Sequence, residues 1–181
     1  MSLVPLMPYH EKTEAFTLIE LLVVIAIIGL LATVTAVSVN AARAKSRDSK
    51  RVSDMKQIQK ALELSYEPGS GYPVVSAPVT IGTPSTDVLC AKGASTGFVA
   101  DTTAANCDAG KVFMGLVPGN AVPGGTAYTY RSTDANGAAC TTAPCNGYCL
   151  QANLETGLPQ GGLAAGGIIG NQTALKNGTC P

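Results

Sequence analysis

Seven residues carry most of the chemistry that types and spacing allow in this 181-residue chain: Glu20, inside a long apolar run, and six cysteines far downstream. The run is EAFTLIELLVVIAIIGLLATV, Glu14 to Val34. An acidic side chain at the centre of a membrane costs about 2.5–3.5 kcal/mol even on lenient insertion scales. In a dry apolar setting it stays charged only if it is paired. Glu20 therefore either reaches the headgroup layer or awaits a cationic partner. The cysteines are Cys90, Cys107, Cys140, Cys145, Cys149 and Cys180, all in a Gly/Pro-rich region. An even count in such a region favours disulfides formed in an oxidising compartment. Structural zinc and free thiols are the competing readings. Zinc lacks its usual C-x2-C pairs here, the tightest spacing being the C-x3-C of Cys145 and Cys149, with no histidine nearby. Six cysteines allow 15 pairings, so connectivity stays open.

The elements that must position these residues follow from three successive compositions. Leu21 to Ala42 contains no charge and would span a hydrocarbon core of roughly 30 Å as a helix rising about 1.5 Å per residue. A secretory signal peptide would have a shorter apolar core preceded by basic residues. Here only Lys12 precedes the run, beside Glu11 and Glu14. Seven of the twelve basic residues then fall between Arg43 and Lys60, where Val52, Met55, Ile58, Leu62 and Tyr66 recur at three- and four-residue steps. That spacing predicts an amphipathic helix continuing the span, stopped by Pro68-Gly69-Ser70-Gly71. After Glu67 lie nineteen of the twenty glycines and nine of the eleven prolines. Short strand-like pieces (Pro73–Val75, Val79–Ile81, Val112–Val117, Ala127–Tyr130 and Tyr148–Leu154) are separated there by turn residues. The tail from Gly161 reads as irregular coil. The expected architecture is α+β, with a long N-terminal helix packed on a small antiparallel sheet with disulfide-stapled loops. Expected divisions are a leader (1–15), an apolar membrane and assembly helix (16–42), its amphipathic continuation (43–67) and a Gly/Pro/Cys-rich β domain (68–181). The basic cluster after the span argues for a cytoplasmic C-terminal part. The cysteines argue for an exported one and are given the greater weight.

FTLIELLVVIAIIGLLA, Phe16 to Ala32, resembles the N-terminal segment of type IV pilins and type II secretion pseudopilins. ARAKSRDSKRVSDMKQIQKALELSYEPGSGYP, Ala42 to Pro73, is similar to the helix of those families that ends in a GYP turn. The resemblance implies the pilin fold. It further implies a precursor in the bacterial inner membrane, its C-terminal domain outside the cytoplasm, cut between Ala15 and Phe16 by a prepilin peptidase and N-methylated at Phe16. Subunits would then pass from membrane lipid, through an inner-membrane assembly platform, into a homo-oligomeric helical filament at the cell surface. The chain departs from the family pattern in having Ala15 where Gly is usual, and a leader with one Lys against two Glu. Cleavage would expose an α-amine four residues before Glu20, on the same helix face. The amine of an incoming subunit is the partner for Glu20 that the resemblance implies.

The remaining motifs are weaker. Gly29 is either an isolated glycine or a site of close helix approach. The Arg43–Lys60 cluster reads as a solvated face with Lys50–Asp54 and Lys56–Asp54 pairs, ahead of lipid or nucleic-acid binding. Asp134-Ala135-Asn136-Gly137 reads as a β-turn between Tyr130 and Cys140, since Cys145 stands where a calcium loop needs its twelfth-position Glu. Asn171 and Asn177 open N-x-[ST] sequons. The single histidine, His10, lies in the expected leader, leaving the mature chain without a base for Ser-His or Cys-His catalysis. No metal, cofactor or enzyme activity is implied. The expected function is a structural filament subunit. The alternative is a single-pass, membrane-anchored binding or adhesion module that stays monomeric.

Overall fold

The computed structural model describes residues 16–93 and 95–181. The expected leader, with His10 and Ala15, lies outside the described residues. The chain divides between Ala41 and Ala42 into two compact units. One α-helix, α1 (Leu18–Ser65), supplies residues to both.

In the first unit α1 is apolar on every side. Leu18, Ile25, Leu30 and Val34 are all more than 60% exposed. Among the described residues nothing lies within 4 Å of the position a Cβ would take at Gly29. The Thr33 and Thr35 hydroxyls donate back to the carbonyls of Leu30 (2.7 Å) and Ala32 (3.0 Å). Both hydroxyls are thereby satisfied within the helix, which an apolar setting requires.

In the second unit α1 buries Ala44, Asp48, Arg51, Met55, Ile58, Leu62 and Ser65, alternating steps of four and three residues. Met55, Ile58 and Leu62 are fully buried, Val52 is half-buried, and Tyr66 lies past the helix end and is exposed. The helix stops before Pro68, and the chain turns at Gly71, whose φ of +76° favours glycine. A Cβ at Gly71 would also overlap the Cys145 backbone. Tyr72 N–H donates to the Cys145 carbonyl (2.9 Å), fixing where the chain leaves the helix.

Two antiparallel sheets complete this unit. The larger has strand order β1–β5–β6–β7–β8, comprising β1 (Val79–Thr80), β5 (Thr129–Thr133), β6 (Gly147–Leu158), β7 (Leu163–Gly170) and β8 (Leu175–Asn177). The smaller has order β3–β2–β4, with β2 (Val88–Lys92), β3 (Ser95–Val99) and β4 (Val112–Met114). The core joins Met55, Ile58 and Leu62 to Tyr128, Tyr130, Tyr148, Leu150, Leu154 and Ile168. A fully buried Leu, Ile or Met contributes about 1.5–3 kcal/mol. The α+β class is therefore as the helical and strand periodicities predict.

Several elements differ from expectation. The tail is not coil: it forms β7 and β8. The density of glycine makes it read as coil, yet two of these glycines sit in strand where neighbours come close. A Cβ at Gly167 would lie 2.7 Å from the Gly178 carbonyl oxygen, and one at Gly170 would lie 2.8 Å from the Leu175 side chain. The β2–β3 hairpin was not visible in the sequence pattern either. Pro73–Val75 is not a strand. The Pro73 carbonyl accepts from the Tyr130 hydroxyl (2.6 Å), and Val75 N–H donates to Ser132 Oγ (3.0 Å). The turn at Asp134 is as expected, with Gly137 N–H donating to the Asp134 carbonyl and the Asp134 side chain accepting from Asn136 and Ala138 N–H. All six cysteines pair, as Cys90–Cys107, Cys140–Cys145 and Cys149–Cys180.

Candidate functional site

At the start of α1, Thr17 and Glu20 close a reciprocal cap. Thr17 N–H and Oγ1–H donate to Glu20 Oε2 at 2.9 and 2.7 Å, and Glu20 N–H donates to Thr17 Oγ1 at 3.3 Å. This is a capping box, satisfying two of the amides that every helix start leaves open. It also holds the carboxylate at the positive end of the helix dipole. Glu20 has no cationic partner among the described residues. Phe16 is 85% exposed. The signature T-x-x-E ahead of an apolar run was present in the sequence and gives Thr17 its role.

A second cluster, wholly within the second unit, fixes α1 to β6. The β6–β7 register shifts between Leu154 and Gly157, so three successive amides turn away from the ladder. They donate to Asp48: Glu155 N–H to Oδ1 (2.8 Å), and Thr156 and Gly157 N–H to Oδ2 (2.7 and 3.0 Å). The Thr156 hydroxyl adds a fourth bond at 2.9 Å. Arg51, fully buried, makes four hydrogen bonds and a further ion-pair contact. Nη1 meets Asp48 Oδ1 (2.8 Å) and Glu155 Oε1 (2.7 Å), Nε meets Asn120 Oδ1 (2.8 Å), and Nη2 meets the carbonyls of Ala121 and Gly124 (both 2.6 Å). Arg47 grips Glu155 through two parallel bonds of 2.8 and 2.6 Å. These bonds from Arg47 and Arg51 hold the Glu155 carboxyl down at about 2. Burial pushes Asp48 up, but its amide, hydroxyl and guanidinium donors outweigh that and leave it below the usual carboxylate range.

The remaining helix acids are committed as well. Asp54 is buried and accepts from the Tyr128 hydroxyl (3.0 Å); burial drives its pKa upward against that bond and the nearby Lys50 charge. The expected Lys50–Asp54 and Lys56–Asp54 pairs do not form, because Asp54 faces the sheet. Glu63 accepts from Tyr72 and Tyr148 (2.8 and 2.9 Å). Burial first, and Glu63 second, raise both phenols well above their ordinary range, so they remain donors. Arg43, Lys45, Lys50, Lys56 and Lys60 are exposed and have no ion-pair partner among the described residues. Lys56 and Lys60 edge an open groove of about 810 Å³ whose apolar lining includes Val52, Leu158, Leu163 and Leu175. Its lining has no histidine or cysteine, and Glu63, its one acid, is held by the two tyrosines. The described residues offer no group of three or more metal-ligating side chains.

The structure thus leaves the sequence-predicted residues in separate places. Glu20 lies in the first turn of α1, Phe16 lies two residues before the helix begins rather than on its face, and the cysteines staple loops and the C-terminal end. Residues 12–36 match the prokaryotic N-terminal methylation motif, the prepilin signature of type IV pilins and pseudopilins. No curated protein and no solved structure matches the chain.

Proposed function

We propose, for a chain that carries the prepilin signature, that it is a structural subunit of a type IV pilus or pseudopilus filament. It is made as a membrane-anchored precursor, cut between Ala15 and Phe16 by a prepilin peptidase, methylated at Phe16 and assembled through α1. The observation that carries this reading is the bare apolar half of α1. Its side chains from Leu18 to Val34 lie open in a single copy, so lipid covers them before assembly and other copies cover them afterwards. Glu20 fits the same sequence of events. Before the cut, Thr17 is its hydrogen-bond donor among the described residues. After the cut, the amine of Phe16 on an incoming subunit supplies the charge that a carboxylate in an apolar filament interior demands. Three disulfides support a C-terminal domain outside the reducing cytoplasm. The peptidase and the assembly platform are the partners this reading requires.

N-terminal mass analysis of sheared extracellular filaments tests it. The expected result is a chain beginning at methyl-Phe16. An uncut chain confined to the membrane supports the monomeric anchored module and overturns the filament reading. Glu20→Ala should leave the chain in the membrane but reduce filament yield at least tenfold; normal yield and length would remove Glu20 from assembly.

A further inference from the structure

The seven basic residues between Arg43 and Lys60 do two different jobs. Arg47 and Arg51 turn inward to Glu155 and Asp48. Arg43, Lys45, Lys50, Lys56 and Lys60 remain outside. Both aspartates of this segment, which would neutralise such a face, are buried beneath the sheet, and the nearest glutamate, Glu63, is held by two tyrosines. Between the cations lie Ser46, Ser49, Ser53 and Gln57, all exposed and polar. The face is thus a cationic strip with no aromatic side chain for stacking on bases and no apolar side chain before Leu64.

Its position in the sequence indicates what it meets. Arg43 is the first charged residue after the uncharged run Leu21–Ala42. From Arg43 to Lys50 the helix rises about 10 Å, roughly one Debye length at 0.1 M salt. Lys56 and Lys60 lie about 20 and 26 Å beyond Arg43 along the helix, outside that range. We propose that Arg43, Lys45 and Lys50 form a binding strip for anionic phospholipid headgroups, and that it holds the precursor at the bilayer surface. This rests on the membrane-anchored reading above but not on filament formation. Juxtamembrane cations attract acidic leaflets in this way, the attraction fading within a Debye length. The strip also explains how a basic cluster follows the span of an exported domain: two of its charges are neutralised inside the fold, and three meet lipid.

The test uses the full-length chain reconstituted into phosphatidylcholine vesicles containing traces of spin-labelled lipid. Motionally restricted signal is compared for phosphatidylglycerol and phosphatidylcholine labels. The native chain should prefer phosphatidylglycerol about fivefold in 0.1 M salt, as one headgroup contact would give, and lose the preference in 1 M salt, where the Debye length is about 3 Å. R43S/K45S/K50S should fall to parity, K56S/K60S should keep the preference, and the charge-conserving R43K/K45R/K50R should keep it too. Near-ultraviolet circular dichroism of the buried tyrosines reports whether each variant retains the fold. Equal association of both lipids with the native chain overturns the proposal, as does a preference that R43S/K45S/K50S retains. A loss in K56S/K60S as large as in the triple variant would also overturn it. Retardation of a DNA duplex by a native chain that shows no lipid preference would reassign the strip to nucleic acid. Sheared-filament mass analysis can fail while this preference holds, so the two readings fail separately.

Discussion

Asp48→Asn probes the contact that ties α1 to β6. The substitution keeps shape and volume but removes the charge and one acceptor oxygen. Five donors converge on Asp48: Glu155 N–H, Thr156 N–H and Oγ1–H, Gly157 N–H and Arg51 Nη1–H. Two meet Oδ1 and three meet Oδ2, so either flip of the amide sets its NH2 against at least two donors. Each buried donor left unmade costs about 1–3 kcal/mol. Removing one partner of a buried ion pair costs about 3–5 kcal/mol. The two figures describe overlapping losses, so the expected destabilisation is about 3–5 kcal/mol, against a total of about 5–15 kcal/mol for a typical domain. Urea unfolding of the full chain in neutral detergent measures it. With six tyrosines and no tryptophan, near-ultraviolet circular dichroism follows the core directly. Ser53→Asn, on the exposed face of the same helix, should stay within about 0.5 kcal/mol. The pH dependence provides a second reading. Asp48 and Glu155 both sit below their unfolded values, so their stabilisation is present above the unfolded carboxylate range, near 4, and is lost as pH falls through the folded values, to about 2 for Glu155. The native chain should weaken over that window, and D48N should show a shallower slope. A loss under 1 kcal/mol with an unchanged slope would refute the claim that this carboxylate anchors the bulge.

Two further outcomes are expected. Asp54, with its pKa raised, contributes stability that is present below the unfolded carboxylate range and lost as pH rises through its folded value. Asp54→Asn keeps an oxygen for the Tyr128 hydroxyl and should therefore gain on the native chain between pH 3 and 7 in the same unfolding assay; a growing deficit over that range would contradict it. The Cys149–Cys180 bridge closes 31 residues and Cys140–Cys145 closes five. On the chain-entropy model their removal as paired serines should cost about 3.7 and about 2 kcal/mol, and the reverse order in urea midpoints would refute that assignment.

Much of the helix was legible and little of what fastens it. Met55, Ile58 and Leu62 announce their face because apolar side chains at three- and four-residue steps have no other cheap place to go. Asp48 and Arg51 fall on the same spacing, yet a charged residue ordinarily reads as solvent-facing. Their burial depends on amides near residue 155, freed by a bulge that no local pattern records. The glycines of β7 misled for the opposite reason. Glycine usually marks loose chain, whereas at Gly167 and Gly170 it marks backbone and side chains too close for a Cβ. Cysteine number foretold disulfides, but pairing is a property of the folded loops.

Glu20 has a local role in the structure and, on the proposed reading, a long-range one as well. Read alone, T-x-x-E is a helix start, and the structure gives Thr17 and Glu20 that role through bonds of 2.7–3.3 Å. A neutral glutamine would cap the helix nearly as well, because its side-chain oxygen can accept from the same amide. The cap therefore accounts for an acceptor at position 20 but not for a charge there, in a helix otherwise uncharged as far as Ala42. The helix dipole favours a charge there, and on the proposed reading an α-amine freed at Phe16 would add a second reason for it. Glu20→Gln separates the two roles. It should preserve amide-exchange protection in the first turn of α1 while lowering filament yield as Glu20→Ala does. Normal yield from the glutamine variant would show that the cap, not the charge, is what assembly uses.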